Sequence, residues 1–204
     1  RFNKAWNINW KTIPKDKYIY PVPYEWYKNY GVRKYGFHGT SHKYITNVMK
    51  DMLKKDDVNL IVCHIGSGAS VSCIKDGKCF DTTMGITPLD GLMMGTRSGA
   101  IDPSILEYVC KEGEMSISDV TDALNKKSGL LGISGEYSDH RDIEDAEKEG
   151  NELASLANTM YKDRVASYIA KYYVLLNGNV DALVFTAGLG ENAYNFRREV
   201  LENS

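Results

Sequence analysis

The sequence contains no apolar run of membrane-spanning length, and its first residues, Arg1 to Asn7, lack the apolar core of a signal peptide. These absences exclude a helical membrane protein and argue against secretion. Net charge is also nearly missing: 25 Lys+Arg stand against 27 Asp+Glu, which leaves no long-range field to draw the chain to nucleic acid or an anionic membrane. The four cysteines, Cys63, Cys73, Cys79 and Cys110, form no CxxC pair and are too sparse for a disulfide scaffold. They read as reduced, mostly buried thiols of a cytoplasmic protein. There is no repeat of fixed period and no low-complexity segment, so solenoids and extended disorder are excluded. What remains is enough for one well-buried domain, since 43% of the 204 residues are apolar. Small or locally recognised partners fit such a chain.

Pro14, Pro21 and Pro23 punctuate a tyrosine-rich opening, in which 24–30 reads as a short helix stopped by Gly31. Residues 59–65 form a β-favouring run, Gly66-Ser67-Gly68 turns it, and 69–74 returns. An Asp76-Gly77 pair then supplies the positive φ angles of a type I′ turn into a third antiparallel strand over 79–83. Residues 85–99, with four glycines, read as an irregular functional loop. Asp102 and Pro103 open a helix over 104–111 that Gly113 ends. Ser118 caps another through 127, and Gly129, Gly132 and Gly135 mark a following loop. Residues 139–149 read as a charged, exposed helix. The long helix from Glu152, with Leu153, Leu156, Met160, Val165, Tyr168, Ile169, Tyr172 and Leu176 at helical spacing, closes at Gly178 and packs on the sheet. A buried strand over 181–186, a turn over 187–190 and a helix from near Glu191 complete a mixed-sheet α/β domain.

Five clusters can carry chemistry, each with a plainer reading beside it. His64, Ile65, Gly66, Ser67 and Gly68 can close backbone N–H groups on a phosphate, or simply turn a hairpin. Gly188, Leu189, Gly190, Glu191 and Asn192 follow a strand and open a helix, a geometry for anions that Glu191 also serves by complementing the helix dipole; this is not the GxGxxG fingerprint. His38 and His42 lie four apart, half of a metal site, with no third ligand of suitable spacing. The plainer reading there is that Thr40 or Ser41 caps a helix beginning near Lys43. Arg97, among small residues in 85–99, suits a transferring phosphoryl group because its planar fork is always charged. Asp139, His140 and Arg141 stand at a helix start, where a carboxylate can bind ribose hydroxyls or a salt bridge can face solvent.

The order of these clusters is more specific than any of them alone. Arg33-Lys34-Tyr35-Gly36-Phe37-His38-Gly39-Thr40-Ser41-His42, then HIGSGAS at 64–70, TPLDGLMMGTRSGAIDP at 87–103 and FTAGLGEN at 185–192 together closely resemble the acetate kinase family over 13–204. The FHGTSH and GLMMGTRSG segments disfavour butyrate kinases and leave propionate kinases open. The resemblance implies a ribonuclease-H-like domain of the actin-like ATPase superfamily, in a cytoplasmic, homodimeric enzyme that moves the ATP γ-phosphoryl group reversibly onto acetate, giving acetyl phosphate and ADP. It implies that His38 and Arg97 stabilise the transition state and that Phe37 and Pro88 line the methyl pocket. His64, Ile65, Gly66, Ser67 and Gly68 would line the ATP phosphates. Asp139, His140 and Arg141, with Gly188, Leu189, Gly190, Glu191 and Asn192, would lie near the nucleoside.

Departures from the family are equally specific. Residues 1–12 form an unmatched segment, and aligning the family's proline with Pro14 leaves Trp6 where its catalytic aspartate stands. The resemblance places the amino-terminal lobe and both magnesium-linked positions outside this sequence, so Mg2+ is implied for the family with no ligand in the chain. Such a chain is expected to lack full activity by itself, and a non-catalytic nucleotide-binding fragment is the alternative. Ser67 replaces a usual Asn, and Ala100 a commonly acidic residue.

Overall fold

The computed structural model describes residues 13–202; Trp6 and the rest of 1–12 lie outside the described residues. In chain order the elements are α1 (Lys15–Tyr18), α2 (Tyr24–Tyr30), α3 (Gly39–Leu53), β1 (Leu60–Ile65), β2 (Ala69–Lys75), β3 (Lys78–Thr82), α4 (Ser104–Glu112), α5 (Ile117–Lys126), α6 (Gly129–Ser134), α7 (His140–Lys148), α8 (Glu152–Leu175), β4 (Ala182–Thr186), α9 (Ala187–Asn192) and α10 (Tyr194–Glu202). The strands form one sheet of order β3-β2-β1-β4. β1 to β3 form the expected antiparallel meander, with Asp76 and Gly77 at φ 49° and 68°, and β4 joins β1 in parallel, pairing His64 with Thr186.

β1 is buried on both faces, which explains its near-continuous apolar run. Ile61, Cys63 and Ile65 join the main core beneath α8, while Leu60 and Val62 join a second cluster with Ile45 and Met49 of α3. β4 is an edge strand and only half-buried before Thr186, unlike the buried strand expected, because nothing described pairs with its outer edge.

Helix starts depart most from the sequence reading. Ser116, not Ser118, caps α5, in a capping box with Asp119. Residues 129–134, expected as loop, are the helix α6, and Gly135 closes it with φ 81°. α3 begins at Gly39 with His38 as its N-cap, and neither Thr40 nor Ser41 caps it. α9 begins directly after Thr186, so 187–190 is helix rather than turn. On α8, Leu153 and Leu156 are 52% and 48% exposed, and Ala154 and Ala157 face inward instead. Small residues there let α6 and α7 approach α8 closely. α7 is exposed only in part: Ile143, Ala146 and His140 are buried.

Candidate active site

Strand alternation turns His64 towards α3, the same side as Leu60 and Val62, and the hairpin register sets Ser70 directly opposite it. α3 enters over this pair. His38, in the left-handed region at φ 60°, a conformation histidine tolerates better than most residues, stacks its ring on His64 with centroids 4.0 Å apart. Its Nδ1 lies 2.8 Å from Ser70 Oγ. One helical turn on, His42 Nε2 lies 2.8 Å from the same oxygen, and Ser41 Oγ lies 2.8 Å from His64 Nδ1. Burial pushes His38 down to about 4, helped by His64 and Arg97, and pushes the fully enclosed His42 down to about 3. His64 is lowered by burial too, although Glu191 opposes the shift. With all three shifted down, the rings are uncharged at neutral pH, so His38 and His64 stack, and His42 stands tilted beside them, without repulsion.

Arg97 arrives on a loop that has little regular structure but many fixed backbone groups. Leu130 N and Leu131 N, orphan donors at the start of α6, donate to Met94 O and Gly95 O at 2.9 Å each, and Met94 N donates to Arg97 O at 3.0 Å. Gly129 makes this docking feasible: its φ is +65°, and a Cβ there would sit 2.0 Å from Met94 O. The guanidinium is thereby aimed at the Gly66–Gly68 turn. A Cβ on Gly68 would lie 3.3 Å from His38 Nε2 and 3.7 Å from Arg97 Nη1, so two nitrogen donors from distant segments converge on one bare backbone position.

Phe37 packs on the main core and lines a groove of about 370 Å³ with His42, Thr46, Ser72 and Thr82. Pro88 is not among the described residues lining it. Pro88 sits instead in a turn held from the amino-terminal segment: Tyr20 donates its hydroxyl to Asp90 Oδ2 at 2.8 Å and accepts from Ile86 N at 3.1 Å.

The third glycine segment adjoins the first. β1 and β4 end side by side, and a Cβ on Gly66 would lie 3.5 Å from Ala187 Cβ. Within α9, Glu191 Oε1 accepts from Thr186 Oγ1 at 3.0 Å and from Ala187 N at 3.1 Å, while Asn192 Nδ2 donates to Gly188 O. Open space surrounds the α-carbon of Gly188. Asp139 caps α7 and binds the Arg141 guanidinium through both oxygens, at 3.0 and 2.7 Å; that pairing holds its carboxyl down at about 2. His140 turns the other way, into the core, bonded to Asn158 at 3.0 Å and edge-on to Phe196. Solvent-facing chemistry in this segment rests on Asp139 and Arg141.

Ser70 and Tyr20 are the site-building residues that the motif reading overlooked, while Ser41 and His42, read there as a possible helix cap and as half of a metal site, bond His64 and Ser70 instead. Ser70 had a sequence signal, because residues equidistant from Ser67 in the hairpin pair across it. Tyr20 had none. Among the described residues no group of three His, Cys, Asp or Glu side chains is placed to hold a metal ion, and the imidazoles and hydroxyls around His38 do not match the oxygen-rich shell that magnesium demands.

An antiparallel meander extended by a parallel fourth strand, helices on both faces and glycine segments at the carboxyl ends of two adjacent strands define a ribonuclease-H-like domain of the actin-like ATPase class. The chain belongs to the acetokinase family, whose profile matches residues 7–204. It is 54% identical to the acetate kinase of Mesoplasma florum over 94% of this chain and 49% of the relative. Its structure matches Porphyromonas gingivalis acetate kinase with a TM-score of 0.89 at 47% identity, covering 93% of this chain and 48% of that one. A propionate kinase from Francisella tularensis matches with a TM-score of 0.90 at 46% identity, covering 94% and 50%. The chain thus spans about half the length of the relatives it matches. No helix among the described residues is long and apolar enough to cross a membrane.

Proposed function

We propose that the intact protein transfers the γ-phosphoryl group of ATP to acetate, giving acetyl phosphate and ADP, reversibly, and that residues 13–204 are its nucleotide-binding lobe. The observation that carries the reading is the convergence of His38 Nε2 and Arg97 Nη1 on Gly68 at the end of β1. An acetate oxygen attacks phosphorus as the bond to the ADP oxygen breaks, in line, with no proton transferred. Charge then spreads over three equatorial oxygens, so fixed donors matter more than a nucleophile. Arg97 supplies charge and His38 a neutral donor. His64, Ile65, Gly66, Ser67 and Gly68 cradle the phosphates; Asp139 and Arg141, with the Gly188 to Asn192 segment, lie towards the nucleoside; Phe37 and Pro88, of which only Phe37 lines the groove beside His42, are assigned to the acid's methyl group by the family resemblance alone. The described residues offer magnesium no oxygen cluster, so no step here is routed through it. For the 204-residue chain alone the reading is nucleotide binding without turnover, supported by Trp6 at the aspartate position and by the half-length match.

A hydroxamate assay on the full-length protein tests this. Acetyl phosphate formation supports the reading, and preference for the three-carbon acid, the substrate class of the comparably similar propionate kinase, would move the substrate to propionate. A cytoplasmic location, supported by four unpaired thiols, and a homodimer, supported by exposed Ile105, Tyr108 and Ile117, belong to the same proposal; sedimentation of the intact protein reads the second.

A further inference from the structure

Ser70 Oγ has one hydrogen and two imidazole neighbours. His38 Nδ1 and His42 Nε2 both lie 2.8 Å from it, and Ser70 is fully buried in β2. A hydroxyl donates once and accepts up to twice. Were it to accept from both rings, its own hydrogen would be left buried and unused, so it donates to one ring and accepts from the other.

His42 decides which. Its second nitrogen, Nδ1, is buried with no hydrogen-bond partner. A neutral ring carries its hydrogen on one nitrogen only. If that hydrogen sat on Nδ1, a buried N–H would be orphaned, the defect folded proteins tolerate least. With the hydrogen on Nε2, His42 donates to Ser70, and Nδ1 is left as an unshared lone pair, the lesser cost. Ser70 then donates to His38 Nδ1, and the His38 hydrogen must stand on Nε2, the atom nearest the Gly68 turn.

We infer that Ser70 and His42 are positioning residues that lock His38 in its Nε2–H tautomer, so that the ring presents a donor, not a lone pair, to an anion at Gly68. The opposite tautomer would aim a lone pair at phosphoryl oxygens. Burial holds His38 uncharged at pH 7, so it has only one hydrogen to offer, and the relay determines where it points. His64 carries no such constraint: its partner Ser41 is half-exposed and bonds to one ring only. The inference deepens the phosphoryl-transfer reading and rests on it for the identity of the anion.

The test is direct, because the chain has four histidines. Two-bond 1H–15N spectra of the 15N-histidine-labelled 204-residue chain, assigned by single substitutions, should show His38 with a pyrrole-type Nε2 and a pyridine-type Nδ1. The reverse pattern overturns the inference. In Ser70→Ala, His38 should become a mixture of tautomers; an unchanged spectrum would mean that Ser70 does not set it. If that variant does not fold, His42→Gln, whose amide still donates to Ser70, should keep the pattern, and His42→Leu should lose it. In the full-length protein Ser70→Ala should lower kcat about tenfold, a fraction of what deleting a whole donor costs, with KM for ATP unchanged. A correct tautomer in a protein without phosphoryl transfer sinks the proposed function and spares the relay. Transfer with the reverse tautomer does the opposite.

Discussion

The two polar centres of this domain are built on opposite plans. Around His38 every partner is remote in sequence: Ser70 is 32 residues away from it, Ser41 is 23 from His64, and His42 is 28 from Ser70. At the start of α7, Asp139 and Arg141 are two residues apart and satisfy each other in solvent. The first centre exists only when α3, β1, β2 and the Arg97 loop are all in place. The second needs one helix end. Damage should therefore spread through the first and stay local in the second.

The harshest way to break that contrast is Gly129→Ala. A left-handed alanine with its Cβ driven into Met94 O should destabilise the chain by about 3 kcal/mol or more and dislodge Arg97, although residue 129 touches no proposed ligand; a urea midpoint within error of the parent would contradict the docking described for α6. Next, Arg97→Lys should leave the urea midpoint nearly unchanged and slow phosphoryl transfer by the full-length protein on the order of a hundredfold, about 2.7 kcal/mol. A full-rate Arg97→Lys enzyme would remove the guanidinium from the transition state.

Acid offers a third comparison. Histidine titrates near 6.5 when unfolded, whereas His38 and His42 titrate at about 4 and about 3 in the fold. The unfolded chain therefore binds more protons below pH 6.5. The histidine contribution is whole above that value and is lost as pH falls towards the folded values, at up to about 1.4 kcal/mol per pH unit for each ring. Urea titrations at pH 7 and pH 5 should show this loss, and His42→Gln should flatten it. Asp139, held low by Arg141, carries the same sign in a lower window: its contribution is present above its unfolded value near 3.9 and fades as pH falls towards 2, so it leaves most of the window between 4 and 6.5 to the histidines. The mildest change follows. Asp139→Ala removes an N-cap and an exposed pair, and should cost about 1 kcal/mol, with the His38 centre unaltered in the histidine spectrum.

The same contrast governs what the sequence made legible. The Asp76-Gly77 hairpin, the helix stop at Gly31 and the Asp139 cap could be read because neighbours decide them. α6 could not: Gly129, Gly132 and Gly135 look like helix breakers, and the helix forms because carbonyls more than 30 residues upstream accept its first N–H groups. α8 was read correctly at Val165, Ile169, Tyr172 and Leu176, which are buried, but its first turns misled: Leu153 and Leu156 face out, and close packing against α6 and α7 selected Ala154 and Ala157. His140 sits in a motif of exposed residues, yet the space between Tyr161 and Phe196 draws its ring inward. At the site, the glycine turns and Arg97 stood out as residue types in suggestive places, but the count of hydrogens on Ser70 required coordinates.

The Tyr20–Asp90 contact sets an order of events. It closes about seventy residues of chain, a separation whose entropy must be overcome before the bond forms. The hairpins of the meander form from neighbours, so they come first. On a ribosome, Tyr20 emerges before Asp90 and then waits for the residue it will hold.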